Sequence, residues 1–200
     1  MNMEEFLQEL YREELSDVFP ANRANAGIES RPKLFPLINS AMAYAYAKWK
    51  IKYSSEMLEV REDTKEYTLA ATDLLSVIQL VNVYGLEVPS NEYQVLGNKI
   101  YFPSPQTQTL EVVYKVRHIK FSLEQDDQFT EIELPDMLFP WLRAYVCFRY
   151  FSSMKTESAL QAAAQFLTHA QMCEGVYVDT NTTNEFTAPT NRKMEARGFA

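Results

Sequence analysis

The stretch Tyr93-Gln94-Val95-Leu96-Gly97-Asn98-Lys99-Ile100-Tyr101-Phe102 decides the fold class. Gly97 and Asn98 both tolerate positive φ, so this spacing predicts a β-hairpin with a two-residue turn that matches the twist of its strands. Pro103 and Pro105 end the second strand. Further along, Leu110, Val112, Tyr114 and Val116 alternate with Glu111 and Lys115, the period-two pattern of a half-exposed strand. On the other side, Val77, Val81 and Val83 alternate with Ile78, Leu80 and Tyr84 in a run apolar on both faces, which predicts a central strand. The period of two begins near Met57. Residues 57–121 therefore read as a compact antiparallel β-insert of five or six strands.

On either side of this insert the apolar period is 3.6. Asn2 with Glu5 forms an Asn-led capping signal, and Phe6, Leu7, Leu10, Tyr11, Leu15 and Val18 then predict a helix over residues 3–18. Pro20 to Arg31, with Pro, Gly and three Asn, reads as a loop. A second helix follows, with Pro32 or Pro36 in its first turn and Leu34, Leu37, Ile38, Ala41, Ala45 and Trp49 on one stripe. From Leu134 a third helix shows Leu134, Met137, Leu138, Trp141, Leu142, Tyr145 and Val146 on one face. Ala144, Cys147, Phe148 and Phe151 make its other face apolar too, so it is expected to be packed on both sides. Pro135 suits a first turn, whereas Pro140 requires either a kink or the start of the regular helix there. Thr156 caps a last helix with Leu160, Ala163, Ala164, Leu167 and Ala170 inward, closing near Gly175.

The reading is thus α+β: an antiparallel bundle of about four helices, with an inserted antiparallel β-subdomain and an extended C-terminal arm. Its divisions are 1–55 (N-terminal helices), 56–122 (β-sheet insert), 123–180 (C-terminal helices) and 181–200 (a flexible arm). Residues 181–200 have no apolar period, and Phe186, Met194 and Phe199 are their large apolar side chains. Such a segment orders only where a partner supplies a surface, which makes these three residues candidate anchors.

Twenty-seven acids against nineteen bases give a net charge of −8. With Lys and Arg interspersed among acids, that excess argues against sequence-specific reading of DNA. The longest apolar runs are interrupted by Lys48, Lys50, Arg143 and Arg149, short of the ~20 residues of a membrane span. No signal-peptide layout opens the chain, so a soluble protein of intracellular origin is expected. Five glycines, at 27, 85, 97, 175 and 198, write neither a P-loop nor a dinucleotide fingerprint.

His169 and Cys173 stand four apart on the last helix but supply two of the four ligands of a structural zinc, and read as a half-buried histidine beside a core thiol. The acidic run Glu124, Asp126, Asp127, Glu131, Glu133 and Asp136 lacks the glycine and ligand spacing of a calcium loop. It reads as a solvated connection from sheet to helix, with Asp136 near a helix N-terminus. Aromatic stripes at Tyr44, Tyr46, Trp49 and Tyr53, and at Trp141, Tyr145, Phe148, Tyr150 and Phe151, read as core or subunit contact. No catalytic residues, cofactor or metal ligands are assigned. The competing class is a soluble hydrolase or binding module using Glu131 and Glu133.

The order of parts resembles the head-to-tail adaptor (connector) proteins of tailed bacteriophages, in a short-tailed, podovirus-like form. The resemblance rests on Tyr67-Thr68-Leu69-Ala70, Asp73-Leu74-Leu75-Ser76-Val77, Val81-Asn82-Val83-Tyr84-Gly85 and Leu110-Glu111-Val112-Val113-Tyr114. It continues with Glu133-Leu134-Pro135 opening a helix through Tyr145, Arg149, Phe151 and Ser152-Ser153, and with a closing helix over Glu157 to Ala170. It covers about residues 30–175, and consists of apolar spacing without a catalytic signature. The resemblance implies a non-enzymatic virion protein of the neck or tail, made in the bacterial host cytoplasm. It implies a dodecameric homo-oligomeric ring that binds the portal protein and tail or nozzle proteins and passes double-stranded DNA without reading it. The partner-contact residues expected on this basis are Phe186, Met194 and Phe199, with Trp141, Tyr145, Phe148 and Phe151. Another neck or tail-completion protein is the alternative within the same class.

Overall fold

The computed structural model describes residues 1–16, 18, 26–49, 51–122 and 130–195, and the side chains of 26–30 and 179–195 lie outside the description. Among the described residues the chain is mixed α+β, with four α-helices and two three-stranded antiparallel sheets. It divides into two compact units: a helical unit, Met1–Ala41 with Phe121–Ala200, and a β-unit, Met42–Lys120.

In the helical unit, α1 (Met3–Arg12) begins with the expected capping box. The Asn2 side chain accepts from Glu5 N at 2.8 Å, and the Glu5 carboxylate accepts from Asn2 N at 2.9 Å. Helix α1 stops at Arg12, short of the expected residue 18. Leu15 N bonds back to the Leu10 carbonyl at 2.8 Å, so Leu15 is buried by a turn of the backbone rather than by a continued helix. The expected loop to Arg31 is also shorter, since α2 (Ala26–Lys48) starts at Ala26 and carries Pro32 and Pro36 inside it. Both prolines are exposed, on the side where helix carbonyls tilt towards water and a missing donor is replaced by solvent. Of the expected stripe, Leu34, Ile38, Ala41, Ala45 and Trp49 are buried and Leu37 is half-buried, and Phe35, Met42 and Tyr46 widen it. The Asn39 amide both accepts from Phe121 N (2.8 Å) and donates to its carbonyl (2.9 Å), holding the returning chain to α2.

A 3-10 turn, Asp136–Leu138, leads into α3 (Phe139–Ser152), with Pro140 in the first turn. Of the two outcomes expected at Pro140, the helix starts there. Trp141, Leu142, Ala144, Val146, Cys147 and Tyr150 are buried around most of its circumference. Phe6 of α1 meets Phe139 at 6.5 Å between ring centroids.

Helix α4 (Glu157–Glu195) is capped by Thr156, whose hydroxyl accepts from Ala159 N at 3.3 Å, and it packs along α3. It runs through Gly175, which corrects the closure expected there, and its helical backbone continues over residues 181–195, where the sequence showed no apolar period. Apolar period reports packing, whereas a helix already nucleated adds one bond per further residue without a new nucleation cost. Its buried face is Ala159, Ala163, Ala170 and Tyr177, with Phe166 half-buried; the expected Leu160 and Ala164 are exposed.

The β-unit holds β1 (Tyr53–Val60), β2 (Glu66–Thr68), β3 (Leu74–Asn82), β4 (Gln94–Leu96), β5 (Lys99–Tyr101) and β6 (Gln108–Val116). The Gly97-Asn98 hairpin is as expected: Leu96 pairs with Lys99, and Gly97 sits at φ +65°. The larger sheet has the order β1-β6-β3, so β6 is central and β3 an edge, the reverse of what the apolar run at 77–84 suggested. Two register shifts interrupt the β3 ladder, the usual device of an edge strand, while β6 pairs on both sides. The core comprises Leu58, Val60, Leu69, Leu74, Leu80, Val88, Ile100, Phe102, Leu110, Val112, Tyr114 and Val116.

Candidate functional site

The aromatic residues of α3 divide by depth. Trp141 is 1% exposed and stacks on Tyr145 at 5.1 Å and 26°. Tyr145 in turn meets Phe148 edge-on at 5.9 Å. Phe151 lies parallel to Phe166 of α4, 5.7 Å between centroids and 3° apart. Trp141 is therefore core and offers no surface to a partner, which corrects its expected contact role. Tyr145, Phe148 and Phe151 are half-buried and joined through it and through α4. Phe186 and Met194 fall within the helical backbone of α4, with side chains beyond the description, and Phe199 lies outside the described residues.

Arg143 projects from α3 towards the C-terminal end of α1. Its Nη1 lies 3.2 Å from Glu9 and 2.9 Å from Glu13, and its Nε lies 3.5 Å from Glu14. One guanidinium thus faces three carboxylates. Burial pushes the Glu14 carboxyl above its ordinary range, against the attraction of Arg143, with Glu13 and Glu9 adding to the rise. Burial also raises the Cys147 thiol, with the Glu14 charge adding to it, and burial raises Cys173. Both thiols stay protonated at neutral pH and make poor nucleophiles. His169 is exposed rather than half-buried, because it lies off the face of α4 that meets α3. Among the described residues no group of three or more His, Cys, Asp or Glu is placed to hold a metal ion.

Of the acidic run, Glu124, Asp126 and Asp127 lie outside the described residues. Glu131 and Glu133 are exposed and alternate with buried Ile132 and Leu134, while Asp136 is exposed at the first turn of the 3-10 helix. The segment is held by the N-terminus, with Met3 N bonding to the Thr130 carbonyl at 3.1 Å and Ile132 N to the Met1 carbonyl at 3.0 Å. The two glutamates are exposed on a segment tied to the N-terminus by an isolated antiparallel bridge between Asn2 and Glu131.

The β-unit presents two features that periodicity did not reveal. After β3 the chain turns tightly at Asn82. Its side-chain oxygen accepts from Tyr84 N and Leu86 N, each at 3.0 Å, and Gly85 takes φ +75°. This fixed turn carries Val83, Tyr84 and Leu86 into solvent, at 66%, 84% and 63% exposure. The signal in the sequence is Asn82 three residues before Gly85, hidden because Val81, Val83 and Tyr84 fit a strand pattern. Second, a cleft of about 320 Å³ is lined by Asn91, Glu92, Phe102, Pro103, Ser104, Gln106 and Gln108. Its polar groups are the amides of Asn91, Gln106 and Gln108, the Ser104 hydroxyl and the Glu92 carboxylate.

Lys and Arg are not evenly interspersed with acids. The β-unit has nine Lys or Arg and nine Asp or Glu, while the helical unit has ten bases and eighteen acids and so carries the whole net charge. No protein-family model matches the chain, and no curated protein matches it. Among the described residues no helix is long and apolar enough to cross a membrane.

Proposed function

We propose that the chain is a structural, non-enzymatic virion protein. Copies form a ring, dodecameric by analogy with the adaptor proteins it resembles, that joins the portal of the capsid to the tail or nozzle and lets DNA pass. In this reading the helical unit is the body of each subunit, and the β-unit is an insert directed to neighbouring proteins.

The observation that carries the reading is α4. It has 39 residues, ~58 Å at ~1.5 Å per residue, against 14 residues and ~21 Å for α3, on which it packs. Helix α4 also exposes Leu160, Met172, Val176 and Val178 away from its buried face. A helix that outruns its partner and leaves several large apolar side chains in solvent is suited to a contact between proteins. The Val83-Tyr84-Leu86 tip adds a second apolar projection.

The test is sedimentation of the endogenous chain from a native lysate through a density gradient, followed with an antibody. Co-migration with megadalton, DNA-containing particles is the expected result. Recovery only as a small free species would overturn the reading.

A further inference from the structure

Opposite charges are sorted into separate stretches of this chain. Residues 42–55 contain Lys48, Lys50 and Lys52, and residues 112–120 contain Lys115, Arg117 and Lys120, with no Asp or Glu in either stretch. Residues 121–142 contain Glu124, Asp126, Asp127, Glu131, Glu133 and Asp136, with no Lys or Arg. Six bases in the β-unit thus stand against six acids in the helical unit.

Strand pairing brings the two basic stretches to one end of the larger sheet. In the antiparallel β1–β6 ladder Tyr53 pairs with Lys115, and Val116 N bonds to the Lys52 carbonyl at 3.1 Å. Lys52, Arg117 and Lys120 are exposed at this end of the sheet. Arg117 is held there by its backbone N, 2.6 Å from the Asp73 carbonyl, and by Nη2, 3.4 Å from the Leu74 carbonyl. Asp73, whose carbonyl accepts from Arg117 N, is an acid close to this end. On the other unit, the hydrogen bonds to Met1 and Met3 hold the 130–132 backbone, and Glu131, Glu133 and Asp136 face solvent. Each surface is built on fixed backbone, which keeps the cost of ordering it low.

We infer that the basic end of the β-unit, centred on Arg117 and Lys120, docks on the acidic segment Glu131–Asp136 of a second copy of this chain. The inference rests on the ring reading and names the contact that joins one subunit to the next. Different surfaces meet on the two copies, so the contact is heterologous, and such a contact closes into a ring when its rotation permits. Like-charged approaches, basic end to basic end or acid to acid, are repelled, which fixes the direction of addition. The contact weakens with salt because the Debye length falls from ~10 Å at about 0.1 M to ~3 Å at about 1 M.

The test is a charge swap in trans, using the full chain and measuring mass by sedimentation velocity at low salt. Arg117→Glu with Lys120→Glu, and separately Glu131→Lys with Asp136→Lys, are each expected to weaken self-association roughly tenfold or more. Mixing the two variants is expected to restore assemblies containing both. Lys120→Glu alone leaves the Arg117–Leu74 bond in place and serves should the double variant fail to fold. Wild-type assemblies whose mass neither reversal alters overturn this inference and leave the ring standing. Variants that lose association without recovery on mixing also overturn it. A wild-type chain that binds duplex DNA through Arg117 and Lys120, with unchanged self-association, overturns it and gives the basic end to a nucleic acid. A wild-type chain that is monomeric at low salt and absent from megadalton particles overturns the ring reading, and this inference with it.

Discussion

Glu14 carries the clearest energetic consequence at the scale of one side chain. Its folded-state carboxyl titrates above the unfolded one because burial outweighs the attraction of Arg143. Between the two values the folded chain holds more protons than the unfolded chain, so stability contributed here is fully present below the ordinary value of 4.5 and falls as pH rises through the folded-state value. Glu14→Gln removes that titration while leaving Glu9 and Glu13 to Arg143. The variant is expected to melt with wild type at about pH 4 and at a higher temperature than wild type at about pH 7, the gap opening as pH rises. Thermal unfolding across this range checks it, and an offset equal at every pH would contradict the assignment. A second carboxylate acts through the backbone: Glu56 accepts from Ala70 N and Ala71 N, each at 3.1 Å, and so ties the segment after β2 to β1. Glu56→Ala leaves both amides without that acceptor, and a loss of about 1–2 kcal/mol is expected in urea unfolding, with faster amide exchange at Ala70 and Ala71.

At the scale of elements, α4 separates hydrophobicity from packing. The buried residues of α4, which packs on α3, include Ala159, Ala163 and Ala170, while Leu160 is 53% exposed. Close approach of two helices selects for small size, which a hydrophobicity scale ranks below leucine. Ala163→Leu should therefore cost about 1–3 kcal/mol by overpacking, whereas Leu160→Ser should change stability by no more than about 0.5 kcal/mol. Urea midpoints of the two variants show whether Leu160 belongs to the buried face, as the periodicity placed it, while Ala163 is inward in both. The same distinction marks what was legible beforehand. The Asn2 capping box, the Gly97-Asn98 hairpin and the Thr156 cap were readable because each is settled within a few residues. The order β1-β6-β3 was not, because being apolar on two faces describes a strand's surroundings and not its number of neighbours. Prolines 32 and 36 misplaced the start of α2 because a proline fits best in a first turn, whereas both lie inside this helix on its exposed side, where water reaches the carbonyls left without a donor. Among the candidate contact residues, the α3 aromatics could be named from sequence, but Trp141 could not be told from Phe148 until their depths were known. The Asn82 turn read as strand, and the basic end of the sheet existed only once the β1–β6 register set Tyr53 opposite Lys115 and so brought Lys52 to the same end of the sheet as Arg117.

At the scale of the whole chain, charge and burial point to a division of labour. The β-unit is electrically balanced and has its own core, so its fold does not depend on compensating the acidic excess. The helical unit holds all of the net charge of −8 and the longest element, α4, whose last buried side chain among those described is Tyr177. The segment beyond that point, rich in Thr and Asn, has weak intrinsic helix preference, and a helix of that composition is marginal in water without a surface to lie against. If that surface belongs to the portal or to the adjacent subunit, the residues after Thr180 serve attachment and not the fold. A chain ending at Thr180 should then unfold within about 0.5 kcal/mol of the full chain. It should also fail to enter the megadalton particles that the full chain joins, with Phe186→Ser, Met194→Ser and Phe199→Ser in combination reproducing that loss. Truncated chain that still sediments with the particles would move the attachment surface to the exposed Met172–Val176 face of α4 or to the Val83-Tyr84-Leu86 tip, because these apolar surfaces stay outside the described cores.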